Sequence, residues 1–166
     1  QRKGSVDREG CFLTDRNFLE VEDLIVYQRL CQLHIDVCDL TRTWPPEERF
    51  ELAGQVRRSS NSSPAQLAEK NDDRHVRNKI EGVNRSRGEA AESIHHLFVA
   101  WKKDYITERC FRNFQARYKE CIKMLNGLEK NLEQKIPDSY KRWKVKENTE
   151  SYGITRKLPQ TGWPEN

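Results

Sequence analysis

The sequence predicts an all-α protein, an antiparallel up-down four-helix bundle in which a proline breaks the second helix. Of its 166 residues, 35% are hydrophobic and 34% are charged, a mixture that suits helices with one apolar and one solvated face. Apolar residues recur at three- and four-residue steps along four stretches, and prolines end or interrupt them. We therefore expect a flexible leader over 1–17, a bundle over 18–136 and a C-terminal extension over 137–166.

The first helix is predicted from about residue 21 to residue 42. It ends at Trp44-Pro45-Pro46, because two successive prolines cannot continue a helix. The residues predicted to form its inner face are Val21, Leu24, Ile25, Gln28, Cys31, Ile35 and Cys38. The second helix is predicted to begin just after the prolines, with an inner face that starts at Leu52, Ala53 and Val56.

The stretch QVRRSSNSSPAQLAEK, residues 55–70, is a poor continuation of that second helix. Its inner face would carry Ser60 and Ser63, where a core helix normally carries larger apolar residues. Pro64 inside a helix would remove a hydrogen bond at a cost of roughly 3 kcal/mol, whereas it fits the first position of a new helix capped by Ser63. We therefore predict that one helix ends near residue 61 and that another begins at Ser63, with small side chains that admit a close neighbour.

The third and fourth helices have longer apolar patterns. The third is predicted to place on one face Val76, Ile80, Val83, Arg87, Ala91, Ile94, Phe98 and Trp101. Gly88 on this helix also predicts a close neighbour, and Arg87 needs a partner such as Glu89 or Glu92 because a buried guanidinium must be paired. The fourth helix is predicted to end at Pro137 after an inner face formed by Phe111, Phe114, Tyr118, Cys121, Leu125, Leu128, Leu132 and Ile136.

The motifs of this sequence do not predict an enzyme, a metal site or a cofactor. Glu92-Ser-Ile-His95 is the Glu-x-x-His unit of di-metal bundles, but the second such unit that these enzymes need does not occur. The serines of 59–63 offer hydroxyl groups with no histidine nearby in the sequence to activate them. Gly-rich phosphate loops and paired zinc-ligand spacings do not occur either.

The cysteines and the apolar runs favour a cytoplasmic location. The five cysteines form no Cys-x-x-Cys pair, and we interpret them as reduced core residues rather than a disulfide framework. No apolar run approaches the ~20 residues that span a bilayer.

The charge distribution suggests an acidic partner such as nucleic acid. Residues 20–53 hold three basic and eight acidic side chains, whereas residues 54–103 hold ten basic and six acidic ones. The alternative is an ordinary solvated face. The residues predicted to bind nucleic-acid phosphates are Arg57, Arg74, Arg77, Lys79 and Arg85. The residues predicted to form structural ion pairs are Arg58, Arg87, Glu69 and Glu92.

Several of these motifs, in this order, resemble a known family. VEDLIVYQRLCQL followed by PPEERFELAGQVRRSSNSSPAQLAEK resembles the four-helix-bundle proteins encoded in intervening sequences of bacterial 23S ribosomal RNA genes. RGEAAE (87–92) resembles a turn of their third helix, and MLNGLEKNL (124–132) their closing helix. The positions that match are Glu22, Asp23, Leu24, Tyr27, Pro46, Glu48, Gln55, Arg57, Arg58, Ser62, Pro64, Ala68 and Glu69. The likeness extends over about residues 18–135, with Lys70 and Glu89 in place of the family's usual glycine and serine.

This family is in turn similar to the accessory variability proteins of diversity-generating retroelements. The resemblance implies a barrel-shaped homopentamer that binds RNA or DNA through a basic surface and serves as the partner of a reverse transcriptase. The alternative is an oligomeric scaffold encoded in an rRNA intervening sequence, without a reverse-transcriptase partner. A third possibility, a di-metal bundle enzyme, would require stoichiometric iron or manganese.

Overall fold

The computed structural model describes residues 20–136, and these contain four α-helices and no strand. The predicted leader over 1–17 and extension over 137–166 lie outside the described residues. A short 3₁₀ turn, Val21–Asp23, precedes the first helix, and a second turn, Pro46–Arg49, follows it. The helices are α1 Ile25–Thr41, α2 Leu52–Asn71, α3 Val76–Lys102 and α4 Glu108–Gln134.

Each helix packs against the next, and α1 also packs against α4. The α2–α3 contact is the most extensive. The all-helical prediction is therefore confirmed, and the arrangement is consistent with a four-helix bundle. The antiparallel order and the homopentamer stay predictions.

The predicted break in the second helix is wrong, because α2 runs without interruption from Leu52 to Asn71 with Pro64 inside it. The serines that suggested a break instead connect α2 to α3. Ser63 Oγ donates to the Ser86 carbonyl oxygen at 2.9 Å, and Ser59 Oγ lies 2.9 Å from Ser93 Oγ. These buried contacts, with the close packing that small side chains allow, offset the hydrogen bond that Pro64 removes.

The predicted inner face of α1 is also wrong in its rotation about the helix axis. The residues that α1 buries are Val26, Leu30, Leu33, Val37 and Thr41. Ile25 and Ile35, which the sequence pattern placed inside, are exposed. Both sets recur at helical spacing, so periodicity could not choose between them. The packing of α1 against α2 and α4 decides which face of α1 is buried.

The inner face of α3 is built from smaller residues than the sequence predicts. Val83 is buried as expected, but Ala91 and Phe98 are exposed. The residues that α3 buries are Gly82, Val83, Ser86, Ala90, Ser93, Leu97 and Ala100. Gly88, expected at a close contact, has no atom within 4 Å of where a Cβ would stand. Gly82 makes that contact instead.

The inner face of α4 matches its prediction most fully. The predicted residues that α4 buries are Phe111, Phe114, Tyr118, Cys121, Leu125 and Leu132. The Thr107 hydroxyl caps this helix by accepting from the Cys110 backbone N–H at 3.2 Å. Burial raises the pKa of both the Tyr118 phenol and the Cys121 thiol, so both stay neutral core groups.

A buried carboxylate fixes the α3–α4 loop to the start of α2. Glu48 accepts hydrogen bonds from Lys103, from the Tyr105 hydroxyl at 2.7 Å and from the Leu52 backbone N–H at 3.1 Å. The hydrogen bonds from Lys103 and Tyr105 lower the pKa of this carboxyl. Asp104 in the same loop has φ of 59°.

Candidate nucleic-acid interface

The basic residues predicted around the second helix do not form one surface. Arg57 Nη2 donates to the Arg49 carbonyl oxygen at 2.7 Å, so its guanidinium holds α2 to the preceding turn. Arg85 pairs with Glu81 at 2.6 Å. Arg74 is exposed in the connection between α2 and α3, outside both helices.

The two remaining predicted residues, Arg77 and Lys79, lie on different sides of α3. Arg77 is exposed, whereas Lys79 is half-buried. Lys79 stands about five full turns before Leu97, at 3.6 residues per turn, and therefore lies on the same side of the helix as that fully buried residue. Lys79 therefore does not share a face of α3 with Arg77.

The structure places an aligned set of basic residues on α4 instead. Its members are all exposed, and we call it the α4 basic line: Arg112, Lys119, Lys123 and Lys130. They are spaced by about two, one and two turns, so they lie within roughly 40° of one another around the helix. The line faces away from the buried side of α4. The helical spacing of these four residues is present in the sequence.

Two of the four acidic residues of α4 pair with arginines of other helices. Glu120 pairs with Arg29 of α1, and Glu129 pairs with Arg87 of α3 at 2.6 Å. Glu108 pairs with Arg112 at 3.2 Å. The fourth carboxylate of the helix, that of Glu133, lies beyond the last lysine of the line.

The three lysines of the line differ from these arginines in having no local carboxylate. Within residues 20–136, Lys119, Lys123 and Lys130 form no ion pair. Two arginines of α4, Arg112 and Arg117, are paired, whereas these three lysines face solvent. Positive charge is concentrated along one edge of the bundle.

Arg87 forms an ion pair across helices, although with a partner that the sequence did not suggest. Its guanidinium contacts Glu129 Oε2 at 2.6 Å and Asn126 Oδ1 at 2.7 Å, both on α4, and it also contacts Asn84. Neither Glu89 nor Glu92 is its partner. A residue that is half-buried between two helices satisfies its donors from the neighbouring helix.

The other three residues predicted in structural ion pairs have local roles or none. Arg58 is exposed, and the predicted pairing does not occur among residues 20–136. Glu69 pairs with its neighbour Lys70 at 3.0 Å. Glu92 contacts His96 at 3.2 Å. Pairs that are this exposed contribute about 0–1 kcal/mol to stability.

The structure brings to the serine cluster a histidine that is distant from it in the sequence. His34 Nδ1 lies 2.9 Å from Ser60 Oγ, although the two residues are 26 positions apart. Ser60 Oγ donates to the Arg57 carbonyl oxygen at 3.0 Å and is buried. Burial lowers the pKa of His34, which favours the neutral ring.

Cys38 completes this group but does not make it a catalytic triad. Its Sγ lies 3.6 Å from His34 Nε2 and 3.9 Å from His34 Nδ1. A thiol in line with one nitrogen lone pair would be much farther from the other nitrogen, so the sulfur lies against the ring rather than in line for proton transfer. We interpret the group as a packing contact between α1 and α2.

A cleft of about 200 Å³ between α1 and α4 is lined by Arg29, Gln32, Leu33, Arg117, Glu120 and Cys121. Both of its arginines are engaged, Arg29 with Glu120 and Arg117 with Asp36 at 2.5 Å. In the part of the chain that the structure describes, no three His, Cys, Asp or Glu side chains gather closely enough to hold a metal ion. No helix among those residues is long and apolar enough to cross a membrane.

Comparison with known protein families shows to which family this helical chain belongs. The profile of the 23S rRNA-intervening sequence protein family matches residues 22–127, which include all four helices as far as most of α4.

The chain belongs to the 23S rRNA-intervening sequence protein family.

A solved structure supports the fold of this family member. A protein of unknown function from the S23 ribosomal protein family of Bacteroides thetaiotaomicron VPI-5482 superposes with a TM-score of 0.59 at 21% identity. The match covers 64% of this chain and 99% of that protein. No curated protein matches the chain. The family resemblance drawn from the sequence is confirmed, and at this identity the structural likeness establishes the fold alone.

Proposed function

We propose that this family member is a non-catalytic accessory subunit that binds the phosphates of nucleic acid. The observation that carries the proposal is the α4 basic line, with three lysines that no described carboxylate neutralises. A run of aligned, exposed cations about 27 Å long, at 1.5 Å rise per residue, matches an extended polyanion better than a compact ligand.

Binding of this kind is electrostatic and tolerant of sequence. Each neutralised phosphate releases counterions, so affinity falls with salt at a log–log slope of about −0.9 per contact for duplex DNA and about −0.7 for single strands. Phosphate contacts fix position but read no bases.

The resemblance to retroelement accessory proteins extends the proposal to a partner and an assembly. In this extended proposal, the chain forms a cytoplasmic homopentamer that delivers nucleic acid to a reverse transcriptase. Large exposed apolar residues, Ile25 and Ile35, provide surface for contacts with other chains. A scaffold without a reverse-transcriptase partner would show the same oligomer and no salt-dependent nucleic-acid binding.

The mass of the purified protein tests the assembly. Light scattering is expected to give about five times the 19.7 kDa chain mass at micromolar concentration. Repeated copies of the α4 basic line would then let several subunits bind one strand and increase avidity. A mass near that of a single chain would rule out the pentamer.

Charge removal along the α4 basic line tests the binding. We expect the triple variant Lys119→Gln, Lys123→Gln and Lys130→Gln to bind a labelled RNA or DNA at least tenfold more weakly than the parent. Its salt slope should be shallower by about 2, because about 0.7 per phosphate contact is lost three times. Fluorescence anisotropy across a salt series measures both quantities. The helices should be unaffected, since the three side chains are exposed.

A triple variant with the same charge change provides the matched control. Arg74→Gln, Arg77→Gln and Arg85→Gln remove three positive charges from the surface predicted from the sequence. We expect this control to lose less affinity than the α4 variant. The reverse order would place the binding surface on the α2–α3 side, and a parent protein that binds neither RNA nor DNA would refute the proposed function.

A further inference from the structure

An aromatic cluster lies between the end of α3 and the start of α4. Trp101 stacks on Phe111 with ring centroids 5.3 Å apart and planes 10° apart. Phe98 meets both rings edge-on, at 5.6 Å and 5.7 Å. Phe111 is buried, but 41% of Phe98 is exposed. The cluster therefore presents one phenylalanine ring to solvent.

Cations border this aromatic cluster. Lys102 Nζ lies 3.9 Å from the Trp101 ring centroid and 5.5 Å from that of Phe98. Arg112 Cζ lies 5.7 Å from the Trp101 centroid and 5.6 Å from that of Phe111. Arg112 is also the first residue of the α4 basic line. Arg112 therefore joins the aromatic cluster to the α4 basic line.

We propose that this surface binds single-stranded nucleic acid, with phosphates along the α4 basic line and an unpaired base stacked on Phe98. The inference rests on the proposed function and specifies the class of nucleic acid. An aromatic ring next to a row of cations is the composition of single-strand sites, because any unpaired base offers a π-face. In a duplex each base is already stacked between its neighbours.

Phe98, rather than Trp101, is the ring available to a base. Trp101 is already covered by Phe111 and by the Lys102 ammonium group. Phe98 contacts its aromatic neighbours through edge-to-face packing and keeps a large exposed fraction. Lys102 beside Phe98, and Arg112 beside Trp101 and Phe111, can hold the phosphates that flank the stacked base.

The test compares Phe98→Ala with Phe50→Ala in the full-length protein. Phe50 is a matched control, since it is 82% exposed and has a guanidinium, that of Arg49, 5.5 Å from its ring centroid, but it lies outside the α4 basic line. Anisotropy is measured with labelled 20-nucleotide single strands of RNA and of DNA and with duplexes of the same sequence. Phe98→Ala should weaken single-strand binding roughly 5- to 100-fold, as loss of one base–aromatic stack does. Phe50→Ala should change it less than twofold, and duplex binding should not respond to either variant.

Two further variants separate stacking from packing. Phe98→Tyr keeps an aromatic face and should bind single strands as the parent does, whereas Phe98→Leu keeps apolar bulk and should bind as weakly as Phe98→Ala. Thermal melts verify that these variants are folded. Comparison of RNA with DNA shows which strand the surface prefers.

The inference is overturned if Phe98→Ala and Phe98→Leu bind single strands as tightly as the parent. It is also overturned if they lower the oligomer mass while binding is unchanged, since Phe98 would then belong to a protein interface. In either case the proposed function survives when the lysine triple variant still loses affinity. If the parent binds no nucleic acid, both fail together.

Discussion

Leu30→Ala is expected to destabilise the protein by about 2–5 kcal/mol, whereas Ile35→Ala on the same helix should cost less than about 1 kcal/mol. Leu30 is 1% exposed and packs in the core, so its truncation removes buried methyl groups and leaves a cavity. Ile35 is 52% exposed, and little apolar surface returns to water when it is truncated. Equilibrium urea unfolding measures the difference.

This pair of variants directly tests the rotation of α1. The sequence pattern places Ile35 inside, and the structure places Leu30 inside. Equal losses at low protein concentration would show that the rotation is wrong. A loss at Ile35 that grows with protein concentration would instead locate Ile35 at a contact between subunits, because the stability of an oligomer depends on concentration.

Gly82→Ala and Gly88→Ala are expected to change stability in opposite directions. A Cβ on Gly82 would stand 2.7 Å from Lys70 Cβ and 2.9 Å from the Gln66 carbonyl oxygen, and neither atom is the free end of a flexible side chain. The α2–α3 contact would have to open, and this overpacking costs about 1–3 kcal/mol. The gain in helix propensity, about 0.5–1 kcal/mol, offsets only part of this cost.

Gly88→Ala is the matched control on the same helix. No atom lies within 4 Å of its added Cβ, so only the gain in helix propensity is left and stability should rise by about 0.5–1 kcal/mol. Thermal and urea unfolding of both variants provide the comparison. If both substitutions stabilise the protein equally, α2 and α3 are not as close as the structure places them.

The buried serines explain why the sequence misplaced both the helix break and the inner face of α3. Ser63 and Ser86 allow α2 and α3 to approach closely, and their hydroxyls find partners across the contact. A pattern of large apolar residues does not include such buried serines, because serine is more typical of a helix cap or a turn. For the same reason, the predicted inner face of α3 contains Phe98 instead of the buried Ala90.

The candidate site was likewise only partly predictable. The sequence indicated a basic surface and an ion pair for Arg87. The phosphate-binding residues that it predicted lie on α2, on α3 and in their connection, whereas the aligned basic residues lie on α4. Which cations stay unpaired depends on the carboxylates that other helices bring near, as Glu129 is brought to Arg87. Sequence spacing does not contain that information.

The sequence by itself determined four helical segments, the core face of α4 and the membership in a family, because these follow from local propensity, strong periodicity and ordered motifs. Tertiary structure decided the rotation of α1, the continuity of α2 through Pro64, and the basic residues that face solvent. The physical reason is that local preferences are weak compared with packing against neighbouring helices. Two faces of a helix can be almost equally apolar, and a proline costs only a few kcal/mol, so packing against neighbouring helices is large enough to choose.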